Sequence, residues 1–238
     1  MPAPRTLVSW PQLVDIATTV LPFLGAWAAG RLSWRDPAGQ VGLAWGALFA
    51  LSMMQLGGML TREMAFVRAG SVAATLLIPL LLAPPLLTWA GHAVARWRTP
   101  LLALFAIVGV GALLLLGPSR QFTLFFHTPS QLVLAVLSLG MLVAQARRAA
   151  DPRDTGVEPG WLWIGGGHLI YFLATVVGRP LIEFLVPQGR DATRDAIMGL
   201  MLIYSATMVA VAWGLWLGRR TVTRPPRAAR APISPTTA

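Results

Sequence analysis

The chain contains no cysteine among its 238 residues. That excludes disulfides, thiolate metal sites and cysteine nucleophiles. It contains no lysine either, so all 19 basic residues are arginines. A Schiff-base cofactor such as retinal or pyridoxal phosphate therefore has no lysine to hold it, and the lysine of a phosphate-binding loop is missing. Charge of any kind is scarce, at 12% of residues against about 25% in soluble domains. Only nine residues are acidic, which leaves a net charge of +10. No His-Glu-x-x-His zinc motif occurs, and no catalytic residue is assigned.

The remainder is apolar. Hydrophobic residues make up 55% of the chain, and the mean hydropathy is +0.64. These values describe a polytopic membrane protein. Spans of about 20 residues are long enough to cross a bilayer, and seven such stretches occur, near 8–30, 41–60, 69–90, 100–117, 130–146, 161–186 and 196–217. The expected fold is all-α, a bundle of seven transmembrane helices over 1–218. The tail 219–238, rich in arginine and proline, is expected to be disordered. Residues 1–28 superficially resemble a secretory signal, but Asp15 interrupts the apolar run, and a retained first span is expected. No internal repeat is visible in the sequence.

Local features refine the spans. Gly42, Gly46 and Ala50 give span 2 a face on which another helix can approach closely. The adjacent Pro84 and Pro85 lead us to expect a break or strong kink in span 3. Residues 118–130, with Phe122, Phe125 and Phe126 beside Arg120 and His127, read as a segment lying at the membrane interface. The dipeptides Pro11-Gln12 and Pro187-Gln188 do not stand at cytoplasmic span ends, where PQ-loop transporters carry theirs.

Arginine placement sets the orientation through the positive-inside rule. With the C-terminus inside, Arg31, Arg35, Arg96, Arg98, Arg147, Arg148, Arg153 and the tail's Arg219, Arg220, Arg224, Arg227 and Arg230 are cytoplasmic. Arg5, Arg62, Arg68, Arg120, Arg190 and Arg194 are outside. The bias favours N-out, C-in, and most of it comes from the tail. The arginines are scattered between apolar spans, which argues against nucleic-acid binding. A cytoplasmic, inner-membrane location in a bacterium is the expectation from composition.

Span 6 carries the most information. His168, Tyr171, Thr175, Arg179 and Glu183 interrupt an apolar run. At about 100° per residue they share a face roughly 120° wide, and they cover about 22 Å of helix. A polar stripe of this kind is costly against lipid and should face the bundle interior. Orientation places Asp15, Gln55, Arg179 and Glu183 at similar depth in the outer half. Asp15, Gln55, Tyr171, Thr175, Arg179 and Glu183 are thus the candidate ligand-binding set. Arg179 would receive the anionic part of a small anionic or amphiphilic ligand. An ion pair that locks spans 1 and 6 together is the competing reading. His92 and His168, both toward the cytoplasmic side, are weak candidates for a metal or haem. A histidine hydrogen-bonded to a neighbour is the simpler reading of His168, and no cofactor is expected. Three functions follow: a binding or transport bundle, an accessory subunit meeting a membrane-protein partner or a second copy, and a redox enzyme using His168 and Tyr171. The first leads, with the lipid bilayer as surroundings.

Overall fold

The computed structural model describes residues 10–151 and 157–218. The expected tail at 219–238 and the start of span 1 lie outside the described residues. Seven long helices follow in order: α1 (Trp10–Ala28), α2 (Pro37–Thr61), α3 (Met64–Ala90), α4 (Arg98–Leu116), α5 (Thr128–Ala150), α6 (Trp161–Leu185) and α7 (Arg190–Leu217). The last six are each part of an apolar stretch long enough to cross a membrane. In α1 the apolar stretch is shorter, Ile16–Ala28. The protein is an all-α membrane bundle, and no strand occurs among the described residues.

Helices α1, α2, α3, α5, α6 and α7 close a ring in that order, with α7 packing back on α1. Helix α4 stands outside the ring, against α3 and the segment before α5. It is the most apolar span and the least buried, with Ile107 71% and Leu115 86% exposed. A helix that is apolar on all sides suits contact with lipid, where no polar face is needed.

Small residues set the close contacts. A Cβ on Gly42 would come within 2.1 Å of Ala26 Cβ, and one on Gly46 within 2.6 Å of Phe23. The expected small face of α2 therefore receives α1, although Ala50 remains exposed. In α6, Gly165 packs on Leu142 of α5, and Gly167 on Thr207 and Val211 of α7. The glycine triplet lets one helix approach two neighbours.

Two expectations are corrected. Helix α3 runs unbroken through Pro79, Pro84 and Pro85. Proline's fixed φ is compatible with a helix; its cost lies in the lost hydrogen bond and the crowding of the preceding turn. Here Ala83, Pro84, Pro85, Leu86 and Leu87 are buried inside the bundle, and their packing holds the turns helical. The segment before α5, expected to lie at the membrane interface, is continuous with that helix. Arg120–Phe122 and a π-helical turn, Thr123–His127, extend α5 backwards into the bundle. Phe122 and Phe126 are buried and stacked, and Phe126 packs beside Gly109 of α4. The apolar side chains that suggested an interface instead fill the join between α3, α4 and α5; Phe125 alone of the three is exposed.

One end of the bundle, called outer after the arginine-based expectation, carries the starts of α1, α3, α5 and α7 and the ends of α2, α4 and α6. The opposite, inner half is filled by buried Ala26, Val41, Leu82, Leu86, Met141, Ile164, Val211 and Leu215.

Candidate functional site

The outer half is not filled. A partly open cavity of about 540 Å³ lies inside the ring. It is lined from α1 (Thr18, Thr19), α2 (Ser52, Gln55, Met59), α3 (Ser71, Thr75), the π-turn (His127), α6 (Tyr171, Thr175, Ile182) and α7 (Leu200, Met201, Tyr204), among others. Its surface is largely apolar, with hydroxyl, amide and aromatic groups set into it.

Those polar groups divide by how they are used. Thr19, Thr75 and Thr175 donate their hydroxyls at 2.9 Å to the carbonyls of Ile16, Ser71 and Tyr171, each one turn earlier in the same helix. Their oxygens can still accept. Ser52, Gln55 and Ser71 make no side-chain hydrogen bond among the described residues, so they are available to an occupant.

The floor is aromatic. Trp45 of α2 and His168, Tyr171 and Phe172 of α6 pack together, with Tyr204 against Tyr171 at 5.1 Å between ring centres. His168 is completely buried. Trp45 Nε1 donates to His168 Nε2 at 3.1 Å, and His168 Nδ1 lies 2.9 Å from the Ile164 carbonyl. An indole N–H can only donate and a carbonyl can only accept. These two partners therefore fix a neutral imidazole with its proton on Nδ1. Both ring nitrogens are occupied, and neither lone pair is directed at a metal.

Of the residues singled out in the sequence, Gln55, Tyr171 and Thr175 line this one cavity, from α2 and α6. The side chains of Asp15, Arg179, Glu183 and His92 lie outside the described residues. Along the backbone, position 15 precedes cavity-lining Ile16, and 179 and 183 flank cavity-lining Ile182 on α6. Among the described residues no group of three or more His, Cys, Asp or Glu side chains could hold a metal ion. The chain matches no protein-family model, no curated protein and no solved structure.

The inner end holds a charged cluster that sequence reasoning missed. Arg31, between α1 and α2, grips two carboxylates with both edges of its guanidinium. Its Nε and Nη2 donate to Asp36 at 2.7 and 2.9 Å. Its Nη1 and Nη2 donate to Glu158, the latter at 3.0 Å. Glu158 sits before α6 and is buried. Burial works against the arginine's charge, but the hydrogen bonds to Glu158 and Asp36 outweigh it and raise the pKa above the ordinary arginine value. Asp36 also caps α2, accepting from the Ala38 amide at 3.1 Å. Gln145 of α5 completes the tie. It accepts from the Glu158 amide at 2.9 Å and donates to the Trp89 carbonyl at the end of α3 at 3.3 Å. Arg31 and Glu158 are 127 positions apart, and no local pattern pairs them; the excess of arginine on that side was the available signal.

Proposed function

We propose that this protein is a ligand-binding bundle of the cytoplasmic membrane, N-out and C-in, whose cavity takes a small anionic or amphiphilic molecule. The observation that carries this reading is the cavity itself. Its volume of about 540 Å³ falls in the range of about 300–1,000 Å³ usual for small-molecule sites. A largely apolar wall suits an apolar body. The free groups of Ser52, Gln55 and Ser71 suit a polar head. The cation proposed for an anionic head is Arg179, whose backbone position is one turn beyond cavity-lining Thr175 on α6; ionisable residues inside a span are functional by default. The partners in this reading are the bilayer and the ligand, with no cofactor.

The test is thermal unfolding of the detergent-purified protein against a panel of single-chain amphiphiles with anionic, zwitterionic and uncharged heads. A ligand present at 100 times its Kd stabilises by about 2.7 kcal/mol. The reading requires at least one compound to raise Tm in the native chain and to lose that effect in Thr175→Phe, which fills the cavity. A panel without effect, or effects that survive cavity filling, would overturn it. Loss of the effect for anionic heads alone in Arg179→Ala, with normal yield, supports Arg179 as a ligand contact. Loss of the folded protein would instead make it a clamp between helices. A subunit role is favoured by one observation, the bare apolar face of α4 outside the ring. A second polypeptide at fixed stoichiometry in the native mass would establish it.

A further inference from the structure

The cavity is built from two matching sets of residues. Helices α1–α3 and α5–α7 are two three-helix units joined by α4, and each unit crosses the bilayer in the same sequence of directions. The contacts repeat as well: α1 on α2, α2 on α3 and α3 on α5 correspond to α5 on α6, α6 on α7 and α7 on α1. The lining then follows in register. Along α2 and α6, Leu48, Ser52 and Met59 correspond to Tyr171, Thr175 and Ile182 on one constant offset. That same offset, 123 positions, separates Trp45 from His168, which bond to each other across the floor. Along α3 and α7, Ser71, Ala74, Thr75 and Ile78 correspond to Ile197, Leu200, Met201 and Tyr204 on a second constant offset. Each unit thus turns one face of its second and third helices to the cavity, at matching depth, while α1 adds Ile16, Thr18 and Thr19 and α5 adds none.

Inner-half contacts join the units. Trp45 meets His168. Arg31 in the first inner loop of one unit meets Glu158 in the first inner loop of the other. Gln145 of α5 bonds to the end of α3. At α1 and α7 a Cβ on Gly25 would come within 2.4 Å of the Ala212 carbonyl oxygen, so the two backbones touch there. The two units are closed on each other at the inner end and apart around the cavity.

We propose that the cavity is a transport site in its inner-closed state, and that rocking of α1–α3 against α5–α7 opens it to the other side. The Trp45–His168 and Arg31–Glu158 contacts form the inner gate. This rests on the cavity being a ligand site, as above. The physical basis is general: in transporters built from parallel repeats the substrate sits at the repeat interface, and access alternates as one repeat rocks on the other. The residues that close one side must then separate in every cycle, and weakening them raises the population open to that side.

The chain has no native cysteine, so a single introduced one reports without background. Gln55→Cys and Met201→Cys place a thiol on two different helices of the cavity wall, α2 and α7. Each full-length variant is exposed to a small, membrane-impermeant cationic methanethiosulfonate, in right-side-out and in inside-out vesicles. We expect fast labelling from the side of the α1 N-terminus and slow, measurable labelling from the other side. Adding Glu158→Gln or Trp45→Phe should speed the slow side about tenfold, the effect of removing one of several gate contacts. Labelling from the N-terminal side only, with no rate from the inner side over hours in the gate-intact chain or in either folded gate variant, would overturn transport and leave binding intact. No labelling from either side would overturn the cavity reading itself. The gate-intact rate decides the matter even where a gate variant does not fold.

Discussion

Replacing Trp45 by phenylalanine keeps a ring over Tyr171 and removes one hydrogen-bond donor. His168 Nε2 then has no partner among the described residues, in a side chain with no exposure to solvent. Leaving a buried acceptor unmet costs about 1–3 kcal/mol in soluble proteins. Interhelical hydrogen bonds in membrane bundles measure less, about 0.6 kcal/mol on average and up to about 1.7, because the unfolded chain in the membrane also finds partners. The Trp45–His168 bond is buried on both sides, which places it in the upper part of that range. A double-mutant cycle of Trp45→Phe, His168→Phe and the pair isolates it from the packing lost with the indole. We predict a coupling energy of about 1 kcal/mol in that cycle, measured by denaturant unfolding of the detergent-solubilised protein followed by circular dichroism. Additivity of the two single changes within about 0.3 kcal/mol would refute the assigned tautomer and the bond.

Further predictions concern the inner end and the packing. Glu158→Ala leaves Arg31 with Asp36 as its carboxylate partner among the described residues; breaking a buried pair on one side costs about 3–5 kcal/mol, reduced here because Asp36 still neutralises the arginine, so a loss of about 2 kcal/mol is expected in the same assay. The raised pKa of Arg31 means that its contribution is present below the ordinary arginine value and fades only as pH rises through the folded one, so between pH 6 and 9 the Arg31→Gln penalty should stay constant; a penalty that changed across that range would show that the arginine titrates there. Gly25→Leu drives a side chain into the α7 backbone and should lower stability by about 1–3 kcal/mol, whereas Gly111→Leu on α4 meets open space and, as the better helix former, should leave stability unchanged or raise it by up to about 1 kcal/mol. Gln131, fully buried on α5 with neither end of its amide bonded among the described residues, is a cost to the fold; Gln131→Leu should raise Tm, and a fall would show that the amide has a partner.

The sequence made the bundle legible because a bilayer imposes length and apolarity on every span, and both can be read residue by residue. On α6, 100° per residue turns spacing into a face, and two residues of that face, Tyr171 and Thr175, line one cavity with Gln55. Other features resisted. Pro84 and Pro85 carry a local rule against helix, and burial on α3 overrides it. Phe122 and Phe126 look the same at an interface as in a core, and only the position of α4 distinguishes the two. Trp45 reads as one more apolar residue of span 2, since its single polar atom has meaning only when His168 lies opposite. Arg31 and Glu158 each sit in a hydrophilic loop, and their pairing follows from the ring closing, which no short stretch encodes.

The central claim is that the cavity inside the ring exists to hold a small molecule. Native mass spectrometry of the protein purified in mild detergent tests it most directly, with Ser52→Phe as the comparison, since that change fills the cavity from α2. We predict that the native chain carries an additional mass of a few hundred daltons, about what 540 Å³ can enclose, and that the folded Ser52→Phe protein does not. A native chain bare of any such mass after gentle extraction, or the same mass bound equally to both proteins, would contradict the account.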